Sequence, residues 1–157
     1  MQQISTDLNA REINKKLNLC LLLFIVPLAQ ISVDLYSPSL PYISKQFLTT
    51  NAFVQNTITL YFLGFGLGQI FFGPLSDFIG RKKTIVFGLL CFFLFSILSP
   101  ASPNIIVFLL LRFFQGVFAS SLSVVVRASC VDMFGGNSLI KVSSYIGIVW
   151  GFSPIIA

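Results

Sequence analysis

Two long stretches without a single charge set the terms for this chain. No side chain is charged from Gln46 to Ser76, and none from Thr84 to Leu111. About 20 apolar residues cross the hydrocarbon core of a bilayer as an α-helix, and each stretch is longer than that. Between them lies the one dense charge cluster inside the apolar bulk, Gly73-Pro74-Leu75-Ser76-Asp77-Phe78-Ile79-Gly80-Arg81-Lys82-Lys83. Its position predicts a tight, basic, polar turn joining two membrane spans.

Composition extends this reading to the whole chain. Of 157 residues, 55% are hydrophobic and 10% charged, where soluble domains carry about 25% charged residues. The mean hydropathy is +0.90. The net charge of +5 is spread over the ends of apolar runs, which is how topology signals are laid out, so nucleic acid is not an expected partner. With no histidine, Ser-His-Asp and Cys-His catalysis and His metal sites are excluded. The five carboxylates are too scattered for a hard-cation cage. Cys20, Cys91 and Cys130 each lie within or at the edge of an apolar run and read as packing residues rather than a disulfide framework. No cofactor and no metal is implied, and nothing points to an enzyme.

In order, residues 1–16 form a polar lead-in carrying Arg11, Lys15 and Lys16, read as a cytoplasmic amino-terminal tail. Residues 17–157 hold five spans, over about 17–38, 53–75, 84–99, 105–134 and 141–157. The first is too long for a signal-peptide core and is followed by further spans, with Pro27 as a kink. Asp34 falls inside its hydrophobic thickness. It is either an interfacial carboxylate at the helix end or a titrating carboxylate lining a cavity; a carboxylate in a span is costly and usually serves a pathway. The run Gly64-Phe65-Gly66-Leu67-Gly68 has no βαβ context for a phosphate loop. Its glycines four apart predict close helix packing instead. With the amino end in the cytoplasm, Arg11, Lys15, Lys16, Arg81, Lys82, Lys83 and Lys141 all fall inside, and Lys45 alone lies in an outer loop.

The cluster Gly73 to Lys83 resembles the loop signature of the major facilitator superfamily, between that family's second and third helices. Val33-Asp34-Leu35-Tyr36-Ser37-Pro38-Ser39-Leu40-Pro41 is similar to the helix-one signature of its drug:proton antiporters of the Bcr/CflA type. Leu111-Arg112-Phe113-Phe114-Gln115-Gly116 resembles the helix-four motif, and Val126-Arg127-Ala128 with Asp132 a further feature of that helix. Gly151-Phe152-Ser153-Pro154 looks like the start of the helix-five antiporter motif. There are departures. Phe78 stands where a basic residue usually follows the aspartate, and Ser153 where a small residue, often Gly, precedes the proline. The chain also ends within the fifth helix of a fold that has twelve, in two halves.

The resemblance implies an all-α polytopic helix bundle, the amino-terminal part of a major facilitator fold, in a bacterial inner membrane. It implies proton-coupled efflux of drugs or other small hydrophobic or amphipathic compounds by alternating access. Proton and small-molecule substrate, the lipid bilayer and a missing carboxy-terminal half are the implied partners. Asp34, Arg112 and Gln115 would serve the cavity and proton coupling. Gly73, Asp77, Gly80, Arg81 and Asp132 would form the cytoplasmic gate, with Arg81 pairing with Asp132 and Asp77 facing a helix end of the missing half. Gly147, Gly151 and Pro154 would bend or tightly pack helix five at the interface between the two halves. Asp34 and Arg112 both lie about 12 Å below one surface, which predicts a polar pair between them, directly or through water. The rival reading is a non-transporting, membrane-inserted fragment of such a transporter.

Overall fold

Prolines punctuate the point where the first span gives way to a loop. In the computed structural model, which describes residues 21, 24, 25, 31–134 and 136–156 (side chains of 136, 137, 149, 150 and 152–156 excepted), helix covers 31–34. A 3-10 turn over Ser37–Ser39 and a short helix α1, Leu40–Gln46, follow. Pro38 and Pro41 sit in their first turns, where a missing N–H leaves no hydrogen bond unmade. The tail over 1–16, Pro27 and much of the first span lie outside the described residues.

Four longer helices follow: α2, Asn51–Ile79; α3, Arg81–Leu98; α4, Ile105–Met133; and α5, Gly136–Ile156. Both 29-residue helices, α2 and α4, start on a side-chain cap. The Thr50 hydroxyl accepts from the Phe53 amide at 3.3 Å, and Asn104 Oδ1 accepts from the Val107 amide at 2.9 Å. Among the described residues, α2 and α4 are the helices long and apolar enough to cross a membrane.

The expected turn over Gly73 to Lys83 is almost all helix. Helix α2 runs through Pro74 to Ile79, well beyond Leu75, and α3 begins at Arg81 rather than Thr84. Proline is tolerated inside a span when a nearby group re-satisfies the backbone. Pro74 takes the donor from the Ile70 carbonyl; the Ser76 hydroxyl, two residues on, donates to the Gly73 carbonyl at 2.8 Å. Gly80 alone reverses the chain, at φ 103°, in the region that side chains disfavour.

Helix α4 is the centre of the bundle. Half of its most apolar window is buried in protein, against 22% for α2, so α2 turns much of its apolar surface outward. On one side α2 lies against α4 backbone to backbone. A Cβ on Gly64 would strike the Phe113 carbonyl, one on Gly68 the Val117 carbonyl and Ser120 hydroxyl, and one on Gly116 the Tyr61 carbonyl. On the other side Gly88 of α3 rests on Ser121, and Phe95 stacks on Phe114 and Phe118 with centroids 5.5 Å apart in each pair. Leu122, Val125 and Val126 are fully enclosed, and Val142 and Ile146 of α5 pack on Val126 and Cys130. Lipid tails are as apolar as leucine, so between spans it is this close packing that holds helices together. Phe62, Ile70, Phe71, Leu90, Phe93 and Ile97 face outward. In water such an apolar surface would drive association; against lipid it needs no cover.

Candidate functional site

A cleft of about 740 Å³ opens between the end of the first span, α3 and α4, with Tyr36, Ser96, Arg112 and Gln115 on its walls. Arg112 is set two turns into α4. Its guanidinium carbon lies 3.8 Å from the centre of the Tyr36 ring and 5.4 Å from that of Phe108. An aromatic face attracts a cation by about 0.5–2 kcal/mol, more where water is excluded. Arg112 Nη1 also donates to Gln115 Oε1 at 3.1 Å.

Gln115 is the hub of the polar network. Its amide nitrogen donates to Ser96 Oγ of α3 at 2.7 Å and approaches Ser32 Oγ of the first span at 3.4 Å. It is 3% exposed, so its four hydrogen-bonding positions must find partners inside the protein. Tyr36 closes the circuit: its hydroxyl lies 2.7 Å from Thr57 Oγ1 of α2. The Thr57 hydroxyl donates to the Val54 carbonyl; with its single proton spent there, Tyr36 donates to Thr57. A chain of polar contacts thus runs from α2 through the first span to α4 and on to α3.

Arg112 is held by the Tyr36 and Phe108 rings and Gln115, and its expected pair with Asp34, direct or through water, belongs to the proposal below. Equal depth along two helices puts both groups at one level but does not set the direction each faces. Ser32 and Tyr36 point to α4, and Asp34, two residues after Ser32, lies roughly 200° around the helix from it. Asp34 is half-buried.

A second polar cluster joins the other end of the bundle. Arg81, at the start of α3, bridges Asp77 Oδ1 at 2.7 Å and Asp132 Oδ2 at 3.0 Å, and donates to Ser76 Oγ at 2.9 Å. One side chain so links α2, α3 and α4. Asp77 is engaged by Arg81 within its own signature, where a distant helix end was expected, because the reversal at Gly80 sets the first residue of α3 beside the last turn of α2. Phe78 is 93% exposed and takes no part. A Cβ on Gly73 would only graze Val124, at 4.0 Å. A Cβ at Gly147 or Gly151 meets nothing within 4 Å among the described residues; the packing expected of them is against the other half of the fold. The Pro154 side chain lies outside them.

Sequence reasoning passed over Tyr36, Thr57, Ser96 and Phe108 as site residues. The signal for the first three was a polar group inside an apolar run, where a partner is obligatory. Phe108 carried none, being one of 18 phenylalanines.

Helices that pack through glycine contacts, turn their apolar faces outward and enclose a cleft with a few buried polar groups define a polytopic, all-α membrane protein. The chain belongs to the Major Facilitator Superfamily, whose profile matches residues 22–157. It is 35% identical to an uncharacterized MFS-type transporter, YdgK, of Bacillus subtilis over 83% of this chain and 32% of that one. It is 34% identical to a bicyclomycin resistance protein homolog of Haemophilus influenzae, over 80% of this chain and 31% of that one. Identity is 35% to a chloramphenicol resistance protein of Pseudomonas aeruginosa, over 70% of this chain and 26% of that one. The chain therefore spans about a third or less of the length of these relatives.

Proposed function

We propose that these helices are the amino-terminal wall of a proton-coupled exporter of drugs or other small hydrophobic or amphipathic compounds, of the Bcr/CflA type, working by alternating access in a bacterial inner membrane with the amino end in the cytoplasm. The observation that carries the reading is Arg112, a cation set within a span on the wall of a cleft of about 740 Å³, a size suited to a drug-like molecule. The names of relatives as bicyclomycin and chloramphenicol resistance proteins support the substrate class.

In this reading Asp34, paired with Arg112 directly or through water, takes up a proton from the outside and releases it inside, and Arg112 and Gln115 hold the substrate side of the cleft. Arg81, with Asp77, Gly80 and Asp132, biases the cytoplasmic ends of α2, α3 and α4 between two arrangements, with Gly73 in the same signature. Gly147, Gly151 and Pro154 of α5 meet the second half of the carrier. A ligand moves such an equilibrium only through its different affinity for the two states.

The alternative is a membrane-inserted segment without transport of its own. One experiment addresses both. Residues 22–157 replace the corresponding part of the Haemophilus influenzae relative in a pump-deficient bacterium, beside the 157-residue chain alone. The chimera gives efflux that a protonophore stops and that Asp34→Asn abolishes; the chain alone matches empty vector. Protonophore-insensitive efflux, or wild-type coupling in Asp34→Asn, sinks the proton-coupled reading.

A further inference from the structure

Three buried side-chain polar atoms among the described residues have no hydrogen-bond partner: Ser99 Oγ, Ser102 Oγ and Arg112 Nε. All three belong to residues lining the one cleft of about 740 Å³. Buried polar atoms are nearly always hydrogen-bonded, and each exception calls for a reason. Ser99 is 4% exposed, so bulk water does not supply its partner. Three exceptions converging on one space point to a partner that comes from outside the chain.

The donor set says what that partner is. Arg112 Nε–H can only donate, and a serine hydroxyl can donate, so the ligand must present acceptors. Charge narrows it further. Arg112 contacts the Tyr36 and Phe108 rings and the neutral Gln115 amide. Aromatic faces hold a guanidinium in place without cancelling its charge. A planar oxyanion is the natural complement to the guanidinium fork. Around these donors the cleft is apolar, with Ile43, Phe47, Phe92 and Phe108 on its walls.

We propose that this cleft binds small amphipathic carboxylic acids as their anions. The carboxylate oxygens accept from Arg112 Nε–H and from the Ser99 and Ser102 hydroxyls, and the hydrocarbon part lies against Phe47, Phe92 and Phe108. This names a substrate class for the cleft and rests on the exporter reading only where it concerns transport; binding stands by itself.

The test uses the full 157-residue chain in lipid nanodiscs and three probes with one hydrocarbon skeleton, 3-phenylpropanoate, 3-phenylpropanol and 3-phenylpropylamine, titrated calorimetrically. The acid is expected to bind at least about tenfold more tightly than the alcohol or the amine, as a charge-assisted hydrogen bond would give. Arg112→Met erases that preference and Ser99→Ala weakens acid binding alone. Gly66→Ala, on an open helix face, changes neither. Should Arg112→Met not fold, Arg112→Lys keeps the charge but loses the fork, and a weakened preference for the acid is the expected result. Equal affinity for all three probes, or no binding, means a cleft filled by water and overturns the proposal, as does an acid preference that survives Arg112→Met. Efflux of neutral drugs by the chimera with no acid preference removes this inference and leaves the exporter reading. Acid binding by the chain with no efflux by the chimera does the reverse.

Discussion

The Arg112 guanidinium carbon stands 3.8 Å from the centre of the Tyr36 ring, whose hydroxyl is tied to Thr57 on another helix. The cation is therefore positioned by an aromatic face that is itself positioned by a hydrogen bond, and the two parts can be removed separately. Tyr36→Phe keeps the ring and loses the Thr57 bond, at about 1 kcal/mol. Tyr36→Leu loses both, and a double-mutant cycle of Tyr36→Leu with Arg112→Met returns a coupling of about 1–2 kcal/mol. The measurement is reversible unfolding in mixed micelles. A coupling near zero means that the ring and the cation meet without interacting.

The Arg81 bridge reaches two carboxylates, yet Asp77 and Asp132 are 65% and 54% exposed at their side chains. Pairs open to solvent contribute about 0–1 kcal/mol. Asp132→Asn is thus expected to cost less than about 1 kcal/mol in an unfolding titration, with the cost shrinking in molar salt as the pair is screened. A loss of several kcal/mol would mark the cluster as a main support of the bundle, contrary to its exposure.

How far the chain was legible before its structure follows from what each signal measures. The spans were legible because hydropathy measures burial in lipid, which acts on every residue of Asn51–Ile79 and Ile105–Met133 alike. Gly64 and Gly68 were legible because their spacing alone puts them on one face. The end of α2 was not: a Gly-Pro pair followed by Ser and Asp has the composition of a turn. The helix runs on through Pro74 to Ile79, and Gly80 alone takes the reversal. For Asp34 and Arg112 the sequence carried depth but not direction. The partners of Arg112 depend on how the first span is rotated against α4, a tertiary fact that Ser32 and Tyr36 report only once the helices are packed.

The proposed orientation is tested at Lys45 and Lys82, both exposed and near opposite ends of α2. At about 1.5 Å per residue, the 29 residues of α2 exceed the roughly 30 Å hydrocarbon core, so the two lysines lie on opposite sides. In the proposed orientation the excess of basic residues around Lys82 faces the cytoplasm. An impermeant maleimide added to intact cells is expected to label Lys45→Cys, and to label Lys82→Cys only after permeabilisation. The opposite pattern would invert the topology.

Within one short stretch of α2, Gly64 and Gly66 offer a controlled comparison of packing against propensity. A Cβ on Gly64 runs into the Phe113 carbonyl and comes within 3.2 Å of Val117 Cγ2, whereas a Cβ on Gly66 meets nothing within 4 Å. The Phe113 carbonyl is backbone in the middle of α4, so it cannot swing aside as a side chain could; relief requires α2 and α4 to move apart along their shared seam. Gly68 and Gly116 lie on that seam and would lose their contacts together. Gly64→Ala is therefore expected to cost about 1–3 kcal/mol, the range for overpacking a close contact. Gly66→Ala gains helix propensity of up to about 1 kcal/mol with nothing to displace, and should be neutral or stabilising. Unfolding of both variants in mixed micelles gives the two signs side by side. Equal effects would mean that α2 and α4 are not in backbone contact at Gly64, and that α4 is not the centre around which the spans pack.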